Sequence, residues 1–127
     1  MNVQVIVKGK TKGALLVSRN PINFLGGIDK KTGLVRDENH DLFGKSIANK
    51  ILVFPFGVGS SVGAYTIYSL KYNKRAPLAM ICLKADITTA SGCAISNIPL
   101  VVVPKRDYES LKDGSKVSLD AIKGNIL

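Results

Sequence analysis

"ILVFPFGVGSSVGAYTIYSL", Ile51 to Leu70, is the stretch that decides the fold. Its first four residues are apolar without alternation, the pattern of a strand buried on both faces. Pro55 ends that strand and the glycine turn Gly57-Val58-Gly59 follows. From Ser61 the period changes. Val62, Tyr65, Ile67 or Tyr68, and Leu70 recur at helical spacing, and the helix is predicted to end near Asn73–Lys74. Strand, glycine turn and helix in this order place Ser60 and Ser61 at a helix N-terminus, where unpaired N–H groups and the dipole favour negative charge.

The neighbouring segments extend the same pattern. "APLAMICL" reads as a second buried strand, "DITTASGCAISNI" as a short helix with Asp86 as N-cap, and "PLVVVP" as a third strand. "KRDYESLKDG" gives a helical turn or two, and "KVSLDAIKGNIL" a closing strand or hairpin. Towards the N-terminus, Val3 to Val7 reads as an opening strand with Ala14 to Ser18 as its partner across Gly9–Gly13. "NPINFLGGIDKKTGLV" is rich in turn formers and reads as loop. The expectation is one domain over residues 1–127, a mixed α/β sandwich with short helices.

Composition narrows the function classes. Apolar residues make up 46% of the chain and charged residues 21%, a globular balance. No apolar run is long enough to span a bilayer, and Met1 to Lys10 has no signal-peptide core, so a cytoplasmic protein without a membrane role is expected. The formal net charge is +9, but the lysines and arginines are scattered and no aromatic residues interleave with them. That pattern fits a solvated surface first and anionic small molecules second, and it argues against nucleic acid as a partner. Cys82, Cys93 and the single His40 cannot hold a metal cluster by themselves, so no metal site is expected on this chain. Both cysteines read as core, and His40 as an exposed loop residue.

Three familiar motifs fail. Gly57-x-Gly59-x-x-x-Gly63 is one residue longer than the dinucleotide fingerprint, and no acidic residue closes the next strand, where Leu83 is followed by Lys84. Gly44-Lys45-Ser46 ends like a phosphate loop, but Asn39 stands where its first glycine belongs. Ser61 between Gly59 and Gly63 satisfies the nucleophile-elbow spacing, yet the only histidine precedes it, the reverse of the order in such hydrolases. What remains is physical. A serine at this position either caps the helix or acts as a general base whose alkoxide is held by the same field.

Taken in order, "FLGGIDKKTGLV", the "HDLFGKS" stretch, "ILVFPFGVGSSVGAY" and "GCAISNIPLV" resemble the small subunit of the aconitase X family over about residues 14 to 103. The resemblance implies a swivelling β/β/α domain. It also implies a heterodimer with a large subunit that holds an iron–sulfur cluster, expected to be [4Fe–4S]. The implied reaction is dehydration of (R)-mevalonate 5-phosphate, an anionic phosphorylated small molecule, to trans-anhydromevalonate 5-phosphate in isoprenoid biosynthesis. The first serine of the block, Ser60, matches the catalytic serine of aconitases and would take the proton from the carbon beside the carboxylate. Gly57, Gly59 and Ser61 would hold the alkoxide and a substrate oxygen. Aconitases have an arginine after the two serines; Val62 stands here, so cationic support for Ser60 has to come from elsewhere, such as the large subunit. Asn23, Gly26, Gly27 and Asp29 either line the site or only shape a tight turn. Lys45 and Ser46 could touch a phosphate or be ordinary surface residues. Two alternatives stay open at this level: a related dehydratase acting on a hydroxyproline or other hydroxy acid, and a non-catalytic anion-binding module.

Overall fold

Ile51–Phe54 (β3) is the central strand of a seven-stranded sheet in the computed structural model, which describes residues 1–127. The other strands are β1 (Gln4–Val7), β2 (Lys10–Val17), β4 (Ala79–Cys82), β5 (Leu100–Val102), β6 (Lys116–Asp120) and β7 (Asn125–Ile126). Their spatial order is β1-β5-β4-β3-β2-β6-β7. Strands β2, β3, β4 and β5 run parallel, while β1, β6 and β7 are antiparallel to their neighbours. The sheet curls until its edges approach each other. Val3 N–H donates to Gly124 O at 3.0 Å, and Ile126 N–H to Met1 O at 2.9 Å.

Both faces of the parallel strands are covered, which is why they are apolar without alternation. Ile51, Val53, Ala79, Ile81 and Val101 point into the curl and pack with Leu15, Tyr108, Leu119 and Ile126. Leu52, Phe54, Met80, Cys82 and Leu100 face outward, under helices α1 (Phe24–Gly27), α2 (Gly63–Tyr72) and α3 (Ile87–Ser96), and meet Phe24, Ile67, Leu70 and Cys93. Helix α4 (Lys105–Ser110) brings Tyr108 to the inner cluster, where its hydroxyl donates to Ser18 O at 2.7 Å. Arg19 lies over the same ring, 4.7 Å from its centroid. No helix is long and apolar enough to cross a membrane.

The mixed α/β class and the short helices agree with expectation, but one pairing does not. Val3–Val7 and Ala14–Ser18 do not form a hairpin. Strand β1 lies antiparallel on β5, and Leu15 to Val17 lie parallel to Ile51 to Val53. The apolar end of β2 is drawn between two buried faces, whereas β1 alternates in exposure and suits an edge. The Lys10–Ala14 half of β2, expected as a turn, is strand because β6 pairs along its whole length.

Candidate functional site

The serines sit where the glycine turn leaves β3 and enters α2. Residues Ser60 to Val62 form a tight lead-in instead of the first helical residues. Gly63 N–H donates to Ser60 O at 2.9 Å, and Val62 N–H donates to Ser60 Oγ at 3.1 Å. Ser60 therefore caps the turn with its own side chain while its hydroxyl stays exposed. Capping and basicity are compatible here, because a donor aimed at Oγ also stabilises that oxygen when it loses its proton. Gly59, Ser60 and Ser61 donate their N–H groups to no acceptor within the chain. Three successive free amides thus lie just before the ten-residue helix α2, open to an acceptor from outside the chain.

One carboxylate holds this loop from below, and one amide side chain packs against it. Asp86 Oδ1 accepts from Gly57 N–H at 2.7 Å, while its Oδ2 accepts from Thr89 N–H and Thr89 Oγ1, both at 3.0 Å. One carboxylate thus caps α3 and ties the serine loop to it. A Cβ at Gly57 would lie 2.6 Å from Thr89 Oγ1 and 2.8 Å from Asp86 Oδ2, so no larger residue fits. Gly59 has φ +91° and faces Asn23, whose Oδ1 would be 2.7 Å from an added Cβ. Asn23 in turn caps α1, accepting from Gly26 N–H at 3.4 Å. The edge-to-face stack of Phe24 on Phe54, centroids 5.8 Å apart, fixes that helix against β3.

Gly57, Gly59, Ser60, Ser61 and Asn23 are thereby brought together, and Gly26 reaches the loop through Asn23. Gly27 closes α1, donating to Asn23 O and accepting from Arg36 N–H, each at 2.8 Å. Asp29 serves the turn that follows. Its Oδ1 accepts from the N–H groups of Lys31 at 2.8 Å and Thr32 at 3.3 Å, and its Oδ2 lies 3.5 Å from Arg36. The Lys31 amide first, then the Thr32 amide and the Arg36 charge, hold its carboxyl below the ordinary aspartate range. Ser46 is likewise structural, donating to Thr32 O and accepting from Ala48 N–H.

His40 is not the exposed residue expected of a polar loop: its side chain is only 6% exposed. Its Nε2 lies 3.1 Å from Pro21 O, and its Nδ1 accepts from Leu42 N–H at 3.1 Å, so it staples the loop before β3 onto the chain after β2. Asp86 was legible as a helix cap, but nothing local announces its bond to Gly57, twenty-nine residues away.

This chain's residues do not fit a metal cluster. No group of three or more His, Cys, Asp or Glu side chains is placed to hold an ion. Cys82 and Cys93 are free and buried, and burial raises both thiols, Cys93 to about 12, so neither offers a thiolate.

A family model described as the aconitase X swivel domain matches residues 1–127. The phosphomevalonate dehydratase small subunit of Methanosarcina acetivorans is 50% identical over 97% of this chain and 86% of its own length. The protein of that name from Methanothermobacter thermautotrophicus is 43% identical over 99% of this chain and 97% of its own. The crystal structure of Thermococcus kodakaraensis aconitase X in its holo-form superposes with a TM-score of 0.94 at 49% identity, covering 98% of this chain and 94% of that one.

Proposed function

The chain belongs to the aconitase X swivel-domain family, and from that premise we propose that it is the small subunit of a two-chain phosphomevalonate dehydratase. In this reading it completes the active site of a larger cytoplasmic partner and turns over nothing alone. The reaction removes water from (R)-mevalonate 5-phosphate: a C–H bond beside the carboxylate and a C–O bond one carbon further break, a C=C bond forms, and trans-anhydromevalonate 5-phosphate leaves. In this reading the large subunit holds an iron–sulfur cluster, which the lack of a donor set for one on this chain supports.

Ser60 is the proton acceptor. The observation that carries this role is a single arrangement: an exposed Ser60 whose Oγ receives the Val62 N–H, beside three free amides in the turn that leads into α2. As Oγ takes the proton from carbon, it must enter the step as an alkoxide. The Val62 amide and the helix dipole lower the cost of that charge. The amides of Gly59, Ser60 and Ser61 meet substrate oxygens, and Asn23 and Asp86 keep the loop from drifting as charge builds and decays. Lid-like closure of this domain on its partner excludes water from the alkoxide, which is otherwise exposed.

The test is reconstitution with the large subunit, prepared without oxygen, and an assay of (R)-mevalonate 5-phosphate dehydration. Turnover that needs both chains and the Ser60 hydroxyl supports the reading. Association without turnover on this substrate would keep the two-chain assembly and discard the substrate.

A further inference from the structure

The end of the parallel strands away from the serines holds a cavity of about 450 Å³. Pro77 leads into β4, Pro99 into β5 and Asn49 towards β3, so the cavity opens at the heads of three buried strands. Lys71 and Lys74 line it from the end of α2, Lys10 from the start of β2 and Asn97 from the end of α3. The four residues of β3, about 13 Å of strand, lie between it and the glycine turn. Asn49, Lys74 and Asn97 are the three non-glycine residues of the chain with positive φ, at 60°, 60° and 55°. All three line this one cavity.

The lining is basic. Lys71 and Lys74 pair with no carboxylate. Lys10 lies 3.7 Å from Asp120, a long contact made by a side chain 61% exposed, so solvent screens it and leaves Lys10 able to meet another anion. The same end gathers Lys8 and Lys12 beside Lys10, Lys50 ahead of β3 and Arg75 after α2. Carboxylates border the cavity on one side, where Asp120 and the Leu127 terminus share a neighbouring hollow with Lys12 and Lys123. Asp29, on the flank of α2, is already paired with Arg36. Lysines at the end of a helix commonly balance its dipole. That reason covers Lys71 and Lys74 but not Lys10, which comes from a strand. Moreover, Ser69 O, Leu70 O and Lys71 O near the end of α2 already accept from the N–H groups of Asn73, Arg75 and Lys74. Like charges gathered in this way repel one another until an anion joins them.

We propose that this cavity binds a phosphate chain, the di- or triphosphate of a small molecule, with Lys10, Lys71 and Lys74 meeting its oxygens and the Asn49 and Asn97 amides donating beside them. Three ammonium groups suit a ligand that carries several negative charges in a row. No aromatic side chain lines the cavity, so a nucleobase has nothing to stack on and the phosphates carry the recognition. The inference stands apart from the two-chain reading above, because none of these residues belongs to the serine turn.

The test is calorimetric titration of the full chain with inorganic triphosphate, ATP and sulfate, at one ionic strength and without divalent cations. One site per chain is expected, with triphosphate and ATP within threefold of each other and sulfate at least tenfold weaker. The double variant Lys71→Glu with Lys74→Glu should raise Kd for triphosphate at least tenfold. Asn97→Asp, which tolerates the same left-handed backbone and sets a carboxylate in the cavity, should raise it severalfold. Lys105→Glu with Arg106→Glu, exposed on α4 at the serine end, changes the net charge equally and should leave Kd within twofold. Thermal unfolding of each variant verifies that it folds. An unchanged Kd in the Lys71 and Lys74 variant overturns the site. Equal losses in the two double variants show diffuse attraction to a basic chain and overturn it as well. Sulfate binding as tightly as triphosphate, or ATP binding tenfold more tightly, overturns the assignment of a phosphate chain as the group recognised.

Discussion

Replacing Asp86 by alanine removes one acceptor and strands three donors: Gly57 N–H, Thr89 N–H and Thr89 Oγ1. Losing a helix cap costs about 1 kcal/mol. Losing the charged acceptor of the Gly57 amide adds about 1.5–3 kcal/mol. The Thr89 hydroxyl can rotate to another partner and adds little. The expected loss is therefore about 2.5–4 kcal/mol, and at about 4 °C per kcal/mol for a chain of this size the unfolding midpoint falls by about 10–16 °C. The catalytic effect has a separate cause. Gly57 is three residues from Ser60, and a loop released by about 1 Å loses about 10²-fold in rate. Below the lowered midpoint, the reconstituted Asp86→Ala enzyme should show reduced kcat with a smaller change in KM. Asp86→Asn, which keeps one acceptor oxygen, should fall between it and wild type. Asp86→Ala that unfolds within about 0.5 kcal/mol of wild type and turns over normally would refute the claim that this carboxylate clamps the serine loop.

Other consequences of the geometry can be measured directly. Gly59→Ala forces a side chain onto a φ of +91° and against Asn23 Oδ1, so it should lower kcat by about 10²-fold while circular dichroism of the lone chain is preserved. Tyr108→Phe removes the buried bond to Ser18 O and should cost about 1–2 kcal/mol in denaturant melts, with turnover unchanged because the ring lies in the inner cluster away from the serines. At pH 8 the two thiols should resist alkylation in the folded chain and react once it is unfolded. Because burial raises Cys93 above its ordinary value of 9.0 to about 12, its contribution to stability is fully present below about pH 9 and is lost as pH rises towards 12. Unfolding midpoints measured across that range should therefore fall with increasing pH.

The unbroken apolar runs were readable because each is buried on two faces, so burial and sequence agree at every residue from Ile51 to Phe54 and from Ala79 to Cys82. The Asp86 cap was equally local. Strand pairing was not. Nothing in Val3 to Val7 distinguishes a hairpin with β2 from an edge on β5, because that choice depends on where a strand about ninety residues later is placed. The serine block was legible as a helix N-terminus, but its boundary was not. Ser60 draws the Val62 amide to its own side chain and delays the helix to Gly63. His40 looked like loop chemistry, and only the packing of the Pro21 carbonyl and the Leu42 amide onto its ring shows it as a staple.

The most direct test of the central claim compares wild type with Ser60→Ala in the reconstituted two-chain enzyme, following water loss from (R)-mevalonate 5-phosphate. Removing a positioned proton acceptor should cost about 10²–10⁴-fold in kcat. Subunit association and the fold of the lone chain should stay intact, since only the Val62 amide loses a partner. Wild-type turnover by Ser60→Ala would contradict the account and leave the serine as a cap alone.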